Sequence, residues 1–154
     1  MTATALKLET RDIVIDEVFP HAAATIWKTL TTAELMGRWL MPPAGFEATE
    51  GKAFTFQTTP AGAWDGTIHC QVLEVVPNRR LSYAWKGGDE RNIGYGARLD
   101  TVVTWLLTPV EAGTRVRLVH SGFVTPNNDT AYNNMSEGWK KVVQRLDALS
   151  GEND

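Results

Sequence analysis

Among the residues able to do chemistry, His120 is the best placed to act on a bound molecule. If Val116 and Leu118 face inward on their strand, period-two spacing puts His120 on the same side, near the strand's end. Imidazole titrates near neutrality, so His120 is a candidate ligand-orienting or acid–base group. The structural reading is a hydrogen bond from His120 to a backbone carbonyl, holding the turn before the last helix. Buried polar groups usually find a protein partner, so this second reading is the expected one.

The other patterns are weaker. His69 and Cys70 are adjacent on a predicted strand and must face opposite sides, which denies the reach that a Cys–His nucleophile needs. His21, His69 and His120 have no neighbour at ligand spacing, and one cysteine is poor zinc material, so no metal site is expected. Gly94 and Gly96 lack the third glycine and the strand–turn–helix setting of a phosphate cradle. Ser121, with Gly122 directly after it, is not a nucleophile elbow. No catalytic residue and no cofactor is assigned.

What remains is an apolar wall. Tyr83 and Trp85 share a strand with Leu81, and Trp105 sits between Val103 and Leu107 on the next. Met135, Trp139 and Val142 are the helical counterpart, and Trp39 and Met41 lie where a lid could sit. With His120, these nine residues are the candidate lining of a small-molecule pocket, since large rings with a few polar tips suit such a site. Core filling is the ordinary fate of the same side chains.

The elements that would position them read as follows. Asp12 to Phe19 is a β-branched first strand ended by Pro20. Ala22 to Leu30 is helical, and Thr31 with Glu34 has capping-box spacing for a second short helix reaching Arg38 or Trp39. Pro42 and Pro43 stop it. Strands are expected over Lys52 to Thr59, Gly66 to Val76, Arg80 to Lys86, Asp100 to Thr108 and Thr114 to Ser121, forming an antiparallel meander. Arg91 to Arg98 reads as either loop or strand start. The face of Gly66 to Val76 is open, because a bulge would swap it. From Asp129, a capping residue, Tyr132, Met135, Trp139, Val142, Val143, Leu146 and Leu149 recur at helical steps. About 20 residues of helix span about 30 Å, enough to cross the sheet and cover it. Where a curved sheet bends away from that helix, a gap opens.

Composition narrows the classes. The formal charge is −3 and no basic run exceeds two residues, which argues against nucleic acid as a partner. A single cysteine fits a reducing compartment, and no signal peptide or membrane-length apolar stretch is read, so the expected location is cytoplasmic. A homodimer through an exposed strand edge stays open.

Several words of the sequence resemble one family. Ala24 through Leu35 is similar to its helix pair "xxVWxALTDPEL", and Arg38-Trp39 with Pro42 and Phe46 to "WWxPxGF". Gly66 to Leu81 resembles "GxxxEVxPPxRLxY"; Gly113 to Val116, His120 to Phe123 and Gly138-Trp139 resemble "GTRVxLxHSGF" and a helical "GW". These belong to the START-related (SRPBCC) superfamily, in the branch resembling the activator of the heat-shock-protein-90 ATPase, and cover roughly residues 11 to 149. One departure is Gly51-Lys52, where the family often has two glycines. The resemblance implies an α+β helix-grip fold like that of the birch-pollen allergen. In it, six or seven curved antiparallel strands wrap a long C-terminal helix over a cavity. It implies a single ligand-binding domain over 11–150, with tails at 1–10 and 151–154. The expected function is non-catalytic carriage or sensing of a small hydrophobic molecule. The alternatives are a cyclase-, aromatase- or hydrolase-type enzyme in the same cavity, and a chaperone-stimulating module. The last is less favoured, because the separate N-terminal module of such activators is not seen.

Overall fold

The structure, a computed structural model, describes residues 9–152. β1 (Thr10–Phe19) leads into α1 (Ala23–Thr31) and α2 (Ala33–Trp39). Five strands follow: β2 (Ala53–Gln57), β3 (Thr67–Val76), β4 (Arg80–Gly87), β5 (Leu99–Val110) and β6 (Gly113–Val124). α3 (Asp129–Glu152) closes the chain. All six strands are antiparallel in the order β1-β6-β5-β4-β3-β2, so the first strand returns to pair with the last. This is the expected α+β helix-grip arrangement.

Alternation decides what each strand buries. On β5, Leu99, Thr101, Val103, Trp105 and Leu107 are buried, and on β6, Thr114, Val116, Leu118 and His120. β3 buries Ile68, Cys70 and Val72, then slips register between Val72 and Glu74. Beyond the slip, Val75 packs on the core and Leu73 is exposed. The bulge therefore swaps faces past the middle of β3, and His69 and Gln71 point outward.

Two local expectations are corrected. The capping box on Thr31 and Glu34 does not form. Only Thr32 separates α1 from α2, so the hydroxyls turn back to the last carbonyls of α1: Thr31 Oγ1 donates to the Trp27 carbonyl at 2.7 Å and Thr32 Oγ1 to that of Lys28 at 2.6 Å. At the start of α3, Asn128 and not Asp129 holds the junction. Its side chain accepts from the Val124 amide at 2.9 Å and donates to the Arg98 carbonyl at 2.8 Å. Asp129 Oδ1 is buried without a hydrogen-bond partner.

One end of the sheet is filled solidly. Trp39 is fully buried, donates to the Thr29 carbonyl at 2.9 Å and meets Trp105 edge-on, with centroids 5.6 Å apart. Trp105 donates to Tyr83 Oη at 3.1 Å, and Tyr83 packs against Phe54. The side of α3 carrying Val143, Leu146 and Leu149 is buried there too. α3 runs close to α1, α2, β1 and β6, while its backbone lies farther from β2 to β5, and the Trp139 ring bridges the distance to Trp85 and Trp105, with centroids 5.8 and 5.9 Å apart. That separation leaves space at the other end.

The β5–β6 turn is locked to the end of β1. Gly113 has φ +144°, and a Cβ there would sit 2.1 Å from the Phe19 carbonyl oxygen. Gly51 has φ +85° with nothing within 4 Å. Gly51→Ala carries a conformational cost of roughly 1–2 kcal/mol, and Gly113→Ala carries roughly 1–3 kcal/mol at its larger φ and adds a backbone clash. Urea unfolding should show the larger loss for Gly113→Ala; equal losses would refute the locking contact.

Candidate functional site

The space left by α3 is a half-open cavity of about 250 Å³. Its floor comes from Ile68 on β3, Trp85 and Gly87 on β4 and Leu99 on β5. α3 supplies the roof with Ala131, Asn134, Met135, Gly138, Trp139 and Val142. Leu40 and Met41, just past α2, form one side. The rim is built by two loops carrying Thr58 and Trp64, and Gly88, Tyr95, Gly96 and Ala97. None of these lining residues is charged.

Hydrogen bonds fasten the rim. Asn92 ties the two loops, donating from Nδ2 to the carbonyls of Ala61 (2.7 Å) and Gly96 (3.1 Å) and accepting from the Ala63 amide (3.1 Å). Tyr95 Oη donates to the Thr59 carbonyl at 3.0 Å, and its ring leans on Trp64, 6.2 Å between centroids. Trp64 Nε1 donates to the Thr67 carbonyl at 2.9 Å. Asp89 takes both nitrogens of an Arg91 fork at 2.8 Å, which holds its carboxyl well below the usual range.

Behind the wall runs a buried relay. Trp139 Nε1 donates to His120 Nδ1 at 2.9 Å. His120 Nε2 lies 2.7 Å from Thr101 Oγ1, which donates to the Trp85 carbonyl at 2.8 Å. Indole can only donate, so Nδ1 must be the acceptor, and the Thr101 hydroxyl proton is already committed. His120 is therefore neutral, with its proton on Nε2. Burial pushes its pKa down from 6.5 to about 3. The expected backbone-carbonyl bond from His120 is corrected: the partners are two side chains, Trp139 from α3 and Thr101, which lies diagonally on β5, two residues from His120's cross-strand partner Val103.

Of the nine residues expected at the pocket, Met41, Trp85, Met135, Trp139 and Val142 line the cavity. Trp39, Tyr83 and Trp105 are fully buried and pack the filled end near α1 and α2. His120 is fully buried behind Trp85 and Trp139, ring centroids 5.5 and 5.8 Å away. Trp64 and Tyr95 were missed by sequence reasoning, because loop aromatics carry no periodicity; a tryptophan inside a turn-rich stretch was the available signal. Trp85 Nε1 is buried with no hydrogen-bond partner.

Other candidates do not assemble. His69 is exposed and Cys70 buried on opposite faces of β3, with the thiol pushed up to about 12 by burial. Among the described residues, no three His, Cys, Asp or Glu side chains come together to hold a metal, and no helix is long and apolar enough to cross a membrane.

A neutral, buried His120 sets a pH dependence. The unfolded chain binds a proton below about pH 6.5 that the native protein refuses until about pH 3, so this contribution is complete above pH 6.5 and is lost as pH falls. Over that window it amounts to about 1.4 kcal/mol per pH unit at most. His120→Gln should be less stable than wild type near neutrality and lose less stability on acidification, read from urea midpoints across the window. Parallel pH profiles would reject the assignment.

Comparison with known proteins adds the lineage. A family model described as Activator of Hsp90 ATPase homolog 1-like protein matches residues 20–151. Protein MLL2253 from Mesorhizobium loti is similar at 32% identity and TM-score 0.79, over 94% of this chain and 99% of that one. Bacillus halodurans protein BH1534 shares the fold at 23% identity and TM-score 0.72, over 94% and 99% of the two chains. CalU16 from Micromonospora echinospora does so at 21% identity and TM-score 0.71, over 95% and 78%. No curated protein matches the sequence.

Proposed function

The chain belongs to the Activator of Hsp90 ATPase homolog 1-like family, and from that premise we propose that it carries or senses a small hydrophobic molecule, held between α3 and the sheet. The observation that bears the reading is the wall itself: a cavity of about 250 Å³ lined by apolar and aromatic side chains, with Thr58 and Asn134 as polar points and no charge. Small-molecule sites have this make-up, and this one, at about 250 Å³, falls just below their usual range of roughly 300–1,000 Å³. Burial of apolar guest surface at roughly 25 cal/mol per Å² supplies the affinity.

Non-catalytic binding is favoured over turnover because His120, the imidazole packed behind the cavity wall, has both nitrogens engaged and its pKa held at about 3. A general base must be reachable and poised near the working pH. His120 is neither. The chaperone alternative draws on the family's description alone.

Titration with an uncharged naphthalene dye that brightens in apolar surroundings is expected to saturate at one molecule per chain. Met135 lines the cavity and is only half-buried, so Met135→Glu should fold. The added carboxylate would have to be desolvated by the guest, and dye affinity should fall about ten-fold or more. An unchanged affinity would remove the carrier reading.

A further inference from the structure

Gly138 stands in the interior of a 24-residue helix, where glycine is unfavourable relative to alanine. The ordinary reasons for a glycine are absent. Its φ is not positive, and an added Cβ would meet nothing within 4 Å. The other helical glycines differ: at Gly37 a Cβ would lie 3.4 Å from Pro42, and at Gly151 3.3 Å from His21. Gly138 is also exposed, and it lines the cavity beside Met135, Trp139 and Val142. A side chain at this position would meet open space at the cavity's edge, not packed protein.

We infer that Gly138 is the specificity-determining position that keeps the cavity's entrance open, and that the guest it admits is an uncharged aromatic molecule of about two fused rings. This deepens the carrier reading and rests on it. Size follows from volume: an apolar cavity of roughly 150 Å³ accepts benzene, with six carbons, so about 250 Å³ accepts about ten non-hydrogen atoms. Charge follows from the wall, which offers no counter-ion to a desolvated carboxylate or ammonium. Shape follows from Trp64, Trp85, Tyr95 and Trp139, whose rings favour offset or edge contact with a flat guest.

The test displaces the naphthalene dye with 2-naphthol and with its charged analogue 2-naphthoate, in wild type, Gly138→Ala and Gly138→Phe. In wild type, 2-naphthol should displace the dye and 2-naphthoate should need at least about ten-fold more. Gly138→Ala should raise Tm by about 2–4 °C through helix propensity. Gly138→Phe should melt within about 2 °C of wild type yet bind 2-naphthol about ten-fold or more weakly. Binding by Gly138→Phe within about two-fold of wild type would overturn the role of Gly138 and leave the carrier reading standing. Equal displacement by naphthoate would overturn the uncharged guest, and dye binding with no displacement by 2-naphthol would overturn the two-ring class. Failure of wild type to bind even the dye would defeat the carrier reading itself.

Discussion

The hydrogen bond from Trp139 to His120 determines how α3 rests on the sheet. It joins the helix to β6, and through Thr101 it continues to β5 and the Trp85 carbonyl on β4. Three strands and the helix are thus pinned at one buried point. Each of these polar groups would cost about 1–3 kcal/mol if left unpaired, so they hold together or fail together. On one side of the pin, Leu146, Leu149, Trp39 and Trp105 fill the interior. On the other, the cavity opens between α3 and the sheet. This buried polar contact under the helix therefore marks the border between the filled core and the cavity.

The same pin explains why the most reactive-looking residue is spent on structure. His120 has the right chemistry for acid–base work, but Nδ1 accepts from an indole and Nε2 faces a hydroxyl whose proton is already given away. Adding a proton to Nδ1 would set it against the indole N–H. Burial and this arrangement act in the same direction, and the ring stays neutral. What the network gives the cavity wall is anchorage: the Trp139 indole and the Trp85 backbone are tied to His120 and Thr101, which lie behind the wall.

Much of the architecture was legible because its signals are periodic. Alternation exposed β5 and β6, and three- and four-residue steps exposed α3, including Met135, Trp139 and Val142 on the face that roofs the cavity. Periodicity states that a residue faces inward; it does not state whether anything fills the space opposite. Trp85 and Trp105 both face inward from neighbouring strands, yet one lines a void and the other is locked against Trp39. That difference is made by where α1 and α2 pack, a long-range outcome. The bulge at Leu73 and the rim loops were illegible for a related reason: a register slip and an Asn92 bridge between distant loops leave no local pattern.

Two of the local rules this chain breaks are broken at the cavity. Trp39, Trp64, Trp105 and Trp139 each give their indole proton to a partner, while Trp85, on the cavity floor, keeps a buried N–H with none. Gly138, on the roof, sits inside a continuous helix where glycine is unfavourable, and an added Cβ there would meet nothing. Both features lower stability, by about 1 kcal/mol or more apiece. Sequences that fold well violate such rules sparingly and at sites of function. The filled end of the same sheet, built from the same residue types, shows the contrast: its indoles are paired and its rings interlock. The two departures thus face each other across the void, on the floor and on the roof, where the packing of the sheet gives neither of them a partner.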